Sequence, residues 1–343
     1  MTVIGTGNTG SVLASMFDIN AILFSTAEQD TNNFSKEMNV ISFSMSGASK
    51  RFMTGVDIWK ENFDKLSDSL SSIRNDKVII FSALGGGSGS SSLQPISKIL
   101  VNNGCKVLII GVLPFKKENN PPLANAVQCV NSLLPLIDKV SLMIFDNEKL
   151  IKEFDSNWRN LNLYIVKRVD YIINLLRKYN SESYSPVTLD QSELDSVIFG
   201  GGFVDFSDSF IEDELPKFEY GILDKETKNC LMAMVVDDSI ENTKEIDKYH
   251  TYLTNVMNKY GSRIPNSRLI PGIIRAKVKK TNSSNPSITD RCYFTIASGL
   301  SIDKYMKKIE KIRDKAIEKA MAFSSREKTG KILDNKSNKI LDI

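Results

Sequence analysis

The sequence predicts an α/β fold: a mostly parallel sheet with helices on its faces in the first half, then a smaller α+β second half. Three observations predict it. Apolar β-type runs alternate with helical patterns along the first 154 residues. Two glycine-rich turns each follow an apolar strand and open a helix. Finally, 343 residues exceed the ~250–300 at which single cores usually stop growing, so more than one domain is expected.

In chain order, strands are expected at 2–4, 21–25, 40–43, 77–82, 106–112 and 140–145, with helices between them at 10–17, 55–73, 90–103, 123–136 and 147–154. A longer helix is expected over 160–179, because Ile165, Val166, Val169, Ile172, Ile173 and Leu176 recur at i, i+3, i+4 spacing and form one apolar stripe. The breaker-rich stretch 180–186 follows as the inter-domain region. The second half reads as strands at 203–206, 230–236, 269–279 and 292–297, a helix at 240–260 and a polar turn at 282–286. An amphipathic helix over 302–325 carries Ile302, Tyr305, Met306, Ile309 and Ile312, and 328–343 is a polar tail expected to lack fixed structure. The division expected is 1–159, a nucleotide-binding domain; 160–180, a central helix; 181–300, an α+β domain; 301–327, a C-terminal helix; and 328–343, a basic tail.

With 41% hydrophobic and 25% charged residues the composition is that of an ordinary globular protein. No apolar run approaches the ~20 residues that span a bilayer, and no basic segment precedes an apolar one at the start, so no membrane span or secretory signal is expected and the cytoplasm is. Cys105, Cys129, Cys230 and Cys292 form no CxxC pair and His250 is the single histidine, which argues against a Cys/His metal site and against histidine-based nucleophilic catalysis. Residues 304–343 carry 12 basic and 6 acidic side chains, against 32 and 35 before them. That basic end is either a solvated helix face or a surface for DNA or an acidic partner.

The first glycine turn, Gly5-Thr6-Gly7-Asn8-Thr9-Gly10, satisfies GxGxxG. Glycines remove the Cβ atoms that would block a phosphate, and the helix start offers N–H groups and a positive dipole end. Alone it would suit NAD, with Glu28 or Asp30 as the ribose carboxylate, or a tight packing turn. The second, Gly85-Gly86-Gly87-Ser88-Gly89-Ser90-Ser91-Ser92, places another anion-binding turn at the same end of the sheet, where a dinucleotide fold needs only one. Neither carries the GxxxxGK[ST] lysine of a P-loop.

With serine in place of both threonines, Gly85–Ser91 resembles the GGGTGTG/S signature of the tubulin/FtsZ superfamily of GTPases. The resemblance covers residues 1–198 element by element and the rest more weakly. It implies an N-terminal Rossmann-like GTPase domain, a central helix and an α+β C-terminal domain followed by a long helix, as in the TubZ-type branch. It further implies that Gly7, Asn8, Thr9, Gly10 and Ser11 hold the α- and β-phosphates of GTP or GDP, with Gly85, Gly86, Gly87, Ser88, Gly89 and Ser90 completing the cradle. Ser46, Gly47 and Ala48 occupy the γ-phosphate-sensing segment, and Mg²⁺ is held mainly by phosphates and water rather than by a protein metal site.

Asn147 and Asn162 match the family's guanine-reading asparagines, a task suited to an amide that both donates and accepts. Trp158, four residues before Asn162, matches the base-stacking aromatic, although a tryptophan there could equally pack in the core. Glu118 matches the ribose-side glutamate, while Pro122 stands where the family often has arginine. Thr188-Leu189-Asp190-Gln191-Ser192-Glu193 matches the acidic loop that completes the GTP site of the next subunit, with threonine for asparagine. Read without the glycine turns, Asp190 and Glu193 are an N-cap and a first-turn acid.

The resemblance thus implies a polymerisation-activated GTPase whose filaments partition plasmid or phage DNA, through self-assembly and a DNA-binding adaptor engaged by Lys328, Lys331, Lys336 and Lys339. A cell-division or phage-centring filament is the nearest alternative. An NAD-dependent oxidoreductase and a non-hydrolysing nucleotide-binding scaffold are alternatives of other classes.

Overall fold

The computed structural model describes residues 1–30, 34, 39–43, 47–115, 120–175, 189–207, 218, 220–237, 243–276, 293–315 and 318. Ten strands form one sheet: β1 (Thr2–Thr6), β2 (Ile22–Ser25), β3 (Asn39–Ser42), β4 (Lys77–Ala83), β5 (Lys106–Leu113), β6 (Val140–Asp146), β7 (Gly202–Ser207), β8 (Asn229–Asp237), β9 (Arg268–Ala276) and β10 (Tyr293–Leu300). Their order is β3-β2-β1-β4-β5-β6-β7-β10-β8-β9. All run parallel except β10, which is antiparallel to both β7 and β8. The sheet is therefore mixed and mostly parallel, as the alternation of patterns predicts.

Strands β4 and β5 are continuous apolar runs because both faces of a parallel sheet are covered. Ile79, Phe81, Leu108 and Ile110 point into one core with Leu13 and Ala14 of α1 (Gly7–Phe17), and Val78, Ile80, Val107 and Ile109 point into the other with Leu93 and Leu100. This is the two-residue alternation of a strand, with every one of these eight strand side chains 0% exposed.

The 55–73 expectation resolves into two helices, α2 (Phe52–Glu61) and α3 (Phe63–Leu70). The break falls at Asn62, whose backbone leaves the helical region at φ −110° and ψ 22°, while its N–H at 3.1 Å and its Nδ2 at 2.9 Å both donate to the Ile58 carbonyl and close off α2. Helix α4 (Ser88–Asn102) begins inside the second glycine turn, and α5 (Asn120–Leu133) ends in a 3₁₀ turn over Leu134–Leu136, tightened by Pro135. Then come α6 (Asn147–Glu153) and α7 (Trp158–Ile173). The rest of the expected 160–179 helix beyond 175 lies outside the described residues, as do the inter-domain stretch 180–186, the 282–286 turn and the 328–343 tail.

In the second half α8 (Gln191–Ile198) precedes β7, and α9 (Thr243–Gly261) packs Leu253, Val256, Met257 and Tyr260 on Cys230, Met232 and Met234 of β8. Residues 303–315 form α10, which seats Ile309 against the core of the first half. The two halves of the sheet meet at β6 and β7, where only Ser141↔Gly202 and Leu142↔Phe203 are in register. Gly201 and Gly202 enter this join with φ of +80° and +88°, a region side chains rarely adopt. Helix α7 lies across it, with Arg168 4.2 Å over the Phe206 ring and Tyr171 edge-on to the same ring.

Candidate functional site

The chain runs outward from β1 to β2 and β3, then returns to the other side of β1 as β4. This reversal opens a crevice at the carboxyl ends of β1 and β4, the place where open α/β sheets bind ligands. Both glycine turns leave the sheet there and touch each other. Gly7 has φ +64°, a Cβ on it would lie 2.9 Å from the Gly89 nitrogen, and Thr6 Oγ1 donates to the Gly89 carbonyl at 3.4 Å. A Cβ on Gly86, by contrast, would meet nothing nearer than the Ala83 carbonyl at 4.0 Å.

Helices α1 and α4 start at this crevice with no side-chain cap and no acid in the first turn. By contrast α6, α7 and α8 are capped by Asp146, Asn157 and Asp190. Two uncapped N-termini converging on one crevice leave N–H donors and positive dipole ends for an anion. Asn8 and Thr9 lie on the open side of α1, while Ser11 is buried beneath them with its Oγ unpartnered. These features fit a phosphate chain.

The hydroxyls of the second turn brace it. Ser88 Oγ accepts from the Thr26 N–H at 2.8 Å, Ser90 Oγ donates to the Gly86 carbonyl, and Ser91 Oγ donates to the Gly87 carbonyl at 2.6 Å. Behind them, Trp59 Nε1 donates to Ser91 Oγ at 3.0 Å.

A third segment closes on the second turn: a Cβ on Gly87 would lie 2.7 Å from the Arg51 nitrogen and 2.9 Å from Ala48 Cβ. It contains Gly47, Ser49 and Lys50 with φ of +67°, +48° and +57°. For Ser49 and Lys50 this conformation costs of order 1–3 kcal/mol each, so the surroundings must hold it.

Asn125 of α5 supplies that hold. Its Oδ1 accepts from the Phe52 N–H at 3.2 Å, and its Nδ2 donates to the carbonyls of Lys50 at 2.9 Å and Gly85 at 3.0 Å. Sequence reasoning missed this residue. The available signal is a polar side chain within the apolar stripe of Leu123, Ala126, Val127 and Val130. Pro122 sits against Gly85, where a Cβ would lie 3.0 Å from its own Cβ and 2.7 Å from that of Pro114. Ser46 and Glu118 lie outside the described residues, whereas Gly47 and Ala48 are buried beside the crevice.

Asn147 is the first residue of α6, directly after β6, and its Oδ1 is buried without a partner. Asp146 before it is fixed from several sides: Tyr305 Oη of α10 donates to Oδ2 at 2.8 Å, the Glu148 N–H donates to Oδ1 at 2.9 Å, and the Asp146 N–H donates to Tyr220 Oη at 3.0 Å. Trp158 opens α7 and is 49% exposed, so it is not a core residue, and Asn162 is half-buried one turn later.

Asp190 and Glu193 form a capping box on α8. Asp190 Oδ1 accepts from the Glu193 N–H at 2.8 Å and Glu193 Oε2 accepts from the Asp190 N–H at 3.2 Å. The Ser192 hydroxyl, the Glu193 N–H and, more weakly, the Arg268 charge hold the Asp190 carboxyl below the usual carboxylate range. Arg268 begins β9, and Lys77, which pairs with Asp195 of α8, begins β4. The acidic helix therefore lies at the amino edge of the sheet. The glycine turns lie at the carboxyl edge, a β4 length or about 20 Å away at ~3.3 Å per residue. The structure brings the three glycine-rich segments together and keeps the acids apart from them. Among the described residues no cluster of three or more His, Cys, Asp or Glu could hold a metal ion.

The chain is similar to known proteins in sequence and in fold. The sequence profile described as Tubulin/FtsZ family, GTPase domain, matches residues 6–155. The tubulin-like protein CetZ1 of Haloferax volcanii is 26% identical over 155 residues, 43% of this chain and 39% of the relative. The tubulin-like protein CetZ of Pyrococcus horikoshii is 24% identical over 216 residues, 57% of each chain. The matches thus span about two-fifths to three-fifths of those relatives. In fold, the chain is similar to a GTPγS-form protofilament of Bacillus thuringiensis serovar israelensis TubZ, with TM-score 0.73 at 16% identity over 96% of this chain and 94% of that one.

Proposed function

We propose that this protein, whose residues 6–155 are similar to the GTPase domain of the Tubulin/FtsZ family, binds GTP at the β1–β4 crevice and hydrolyses it only when a second copy presents its acidic helix. One observation carries the reading: the crevice and the Asp190–Glu193 pair occupy opposite edges of one sheet. A carboxylate about 20 Å from its own crevice can act only on a neighbour's. A contact between unlike surfaces that does not close on itself makes a filament.

In this reading Gly7, Asn8, Thr9, Gly10 and Ser11 hold the α- and β-phosphates. Gly85 to Ser90 complete the cradle, and Ser46, Gly47 and Ala48 sense the γ-phosphate. Asn147 and Asn162 read guanine, Trp158 covers its face and Glu118 holds the ribose. Asp190 and Glu193 of the next subunit orient and polarise a water for in-line attack, where positioning and electrostatics supply most of the catalysis. Mg²⁺ bound to the phosphates and water would neutralise charge on the oxygens.

The division into a GTP-binding domain (1–159), central helix (160–180), α+β domain (181–300), C-terminal helix (301–327) and basic tail (328–343) belongs to the same reading. So does a cytoplasmic role in plasmid or phage DNA partition, with the tail engaging a DNA-binding adaptor. The tail's part in it is supported by the 12 basic against 6 acidic residues in 304–343.

The test is phosphate release with GTP and Mg²⁺ across a range of protein concentrations, with light scattering alongside. The expected result is a threshold above which both rise together. Turnover strictly proportional to concentration, or NAD binding in place of GTP binding, would overturn the reading.

A further inference from the structure

Helix α8 offers its acids on one side and is fastened to the sheet by another. Asp195 is 7% exposed; its Oδ2 pairs with Lys77 Nζ, and its Oδ1 accepts from Gln191 Nε2 at 2.9 Å. Gln191 and Asp195 are four apart and share a face, whereas Glu193 lies about 200° around the axis from Asp195. Holding Asp195 against the sheet therefore turns Glu193 away from it, and Glu193 is accordingly half-exposed while Leu194, Asp195 and Val197 are buried.

We infer that Lys77 and Asp195 are positioning residues for hydrolysis: their pair sets the rotation of α8 and so the direction in which Glu193 faces the next subunit's nucleotide. The inference rests on the reading above that α8 acts in trans. Without the ammonium, this 7% exposed carboxylate keeps, among the described residues, the Gln191 amide alone and is drawn toward solvent. That movement releases the helix to turn.

A second route from Lys77 exists, because β4 continues from it to the Gly85–Gly89 turn of its own subunit. The experiment separates the two. GTP affinity is measured by titration below the assembly threshold, and turnover is measured per sedimented subunit, for Lys77→Met, Lys77→Arg, Glu193→Ala and the double variant Lys77→Met/Glu193→Ala. The expected result for Lys77→Met is wild-type GTP affinity with turnover lowered at least about tenfold, since a misplacement of ~1 Å can cost about a hundredfold. Lys77→Arg should restore most of it, and Lys77→Met should add less than about twofold to the loss in Glu193→Ala, because both act through one group.

Weakened GTP affinity, effects that multiply in the double variant, or unchanged turnover in Lys77→Met would each overturn the inference. Wild-type turnover in Glu193→Ala would instead overturn the trans-acting reading beneath it. Asp195→Asn, which keeps the Gln191 bond and removes the charge, answers the same question if Lys77→Met does not fold.

Discussion

Replacing Asn125 with alanine tests whether the crevice is held together from behind. The side chain is 5% exposed and serves three backbone groups, so Asn125→Ala strands the Phe52 N–H and the Lys50 and Gly85 carbonyls. Lys50 is exposed and its carbonyl can turn to water, whereas Phe52 and Gly85 are buried. At about 1–3 kcal/mol for each enclosed group left unpaired, the two together cost about 3 kcal/mol. Urea denaturation followed by circular dichroism should show the unfolding free energy falling by that amount, through a lower midpoint at unchanged slope. GTP affinity should fall about tenfold, or about 1.4 kcal/mol, because the 48–52 segment and the second glycine turn lose their shared anchor. Asn125→Asp should be worse than alanine at neutral pH, since it sets a carboxylate oxygen against two carbonyls. A loss under about 0.5 kcal/mol, the range of inconsequential surface changes, together with wild-type GTP affinity would refute the assignment.

Gly86→Ala should abolish GTP binding while leaving the unfolding free energy within about 0.5 kcal/mol of wild type, because its methyl meets no protein atom nearer than 4.0 Å and occupies the open space of the crevice; a large stability loss measured in urea would contradict that placement. Trp158→Ala should weaken GTP by about 1–3 kcal/mol, the range for base–aromatic stacking, with stability unchanged because the ring is 49% exposed. Quenching of tryptophan fluorescence by GTP in the wild type, lost in the variant, checks it. Asp190 has a native pKa below its unfolded one, so its contribution is complete above the ordinary carboxylate range and is lost as pH falls through that range to the lowered native value. Asp190→Asn keeps the cap but does not titrate, and acid unfolding curves should show a shallower loss of stability over that window.

The parallel sheet was legible because its central strands are buried on both faces and can be written only as apolar runs. The break between α2 and α3 was not. Val56, Trp59, Phe63, Leu66 and Leu70 keep helical spacing straight through it, and the departure is in the backbone of Asn62, at φ −110° and ψ 22°, which ends one helix and starts the next. The interruption leaves Phe63 43% exposed.

For the candidate site, the glycine turns announced themselves through composition and context, and the sheet order brings them into contact. Asn125 shows in the sequence only as a polar side chain in an apolar stripe, and its role depends on three backbone groups 40 to 75 residues away. Two open readings narrowed differently. Trp158 is exposed, which removes core packing, whereas Asp190 and Glu193 do form the helix cap that their spacing alone suggests. A cap uses one oxygen of each carboxylate for backbone N–H groups and does not exclude a role toward a neighbour.

The join between the two halves of the sheet bears on the stiffness of anything assembled from this chain. Along β4–β5 and β5–β6 seven residue pairs are in register, so those strands resist shear as a plate. At β6–β7 two pairs are in register, entered through Gly201 and Gly202, and the plate narrows to a line. A load applied at one edge and resisted at the other concentrates its strain on that line, with α7 lying across it as a spring leaf. The flexural compliance of a polymer of such subunits is then a property of the subunit interior as well as of the contacts between subunits, and its persistence length is set in part by two glycines.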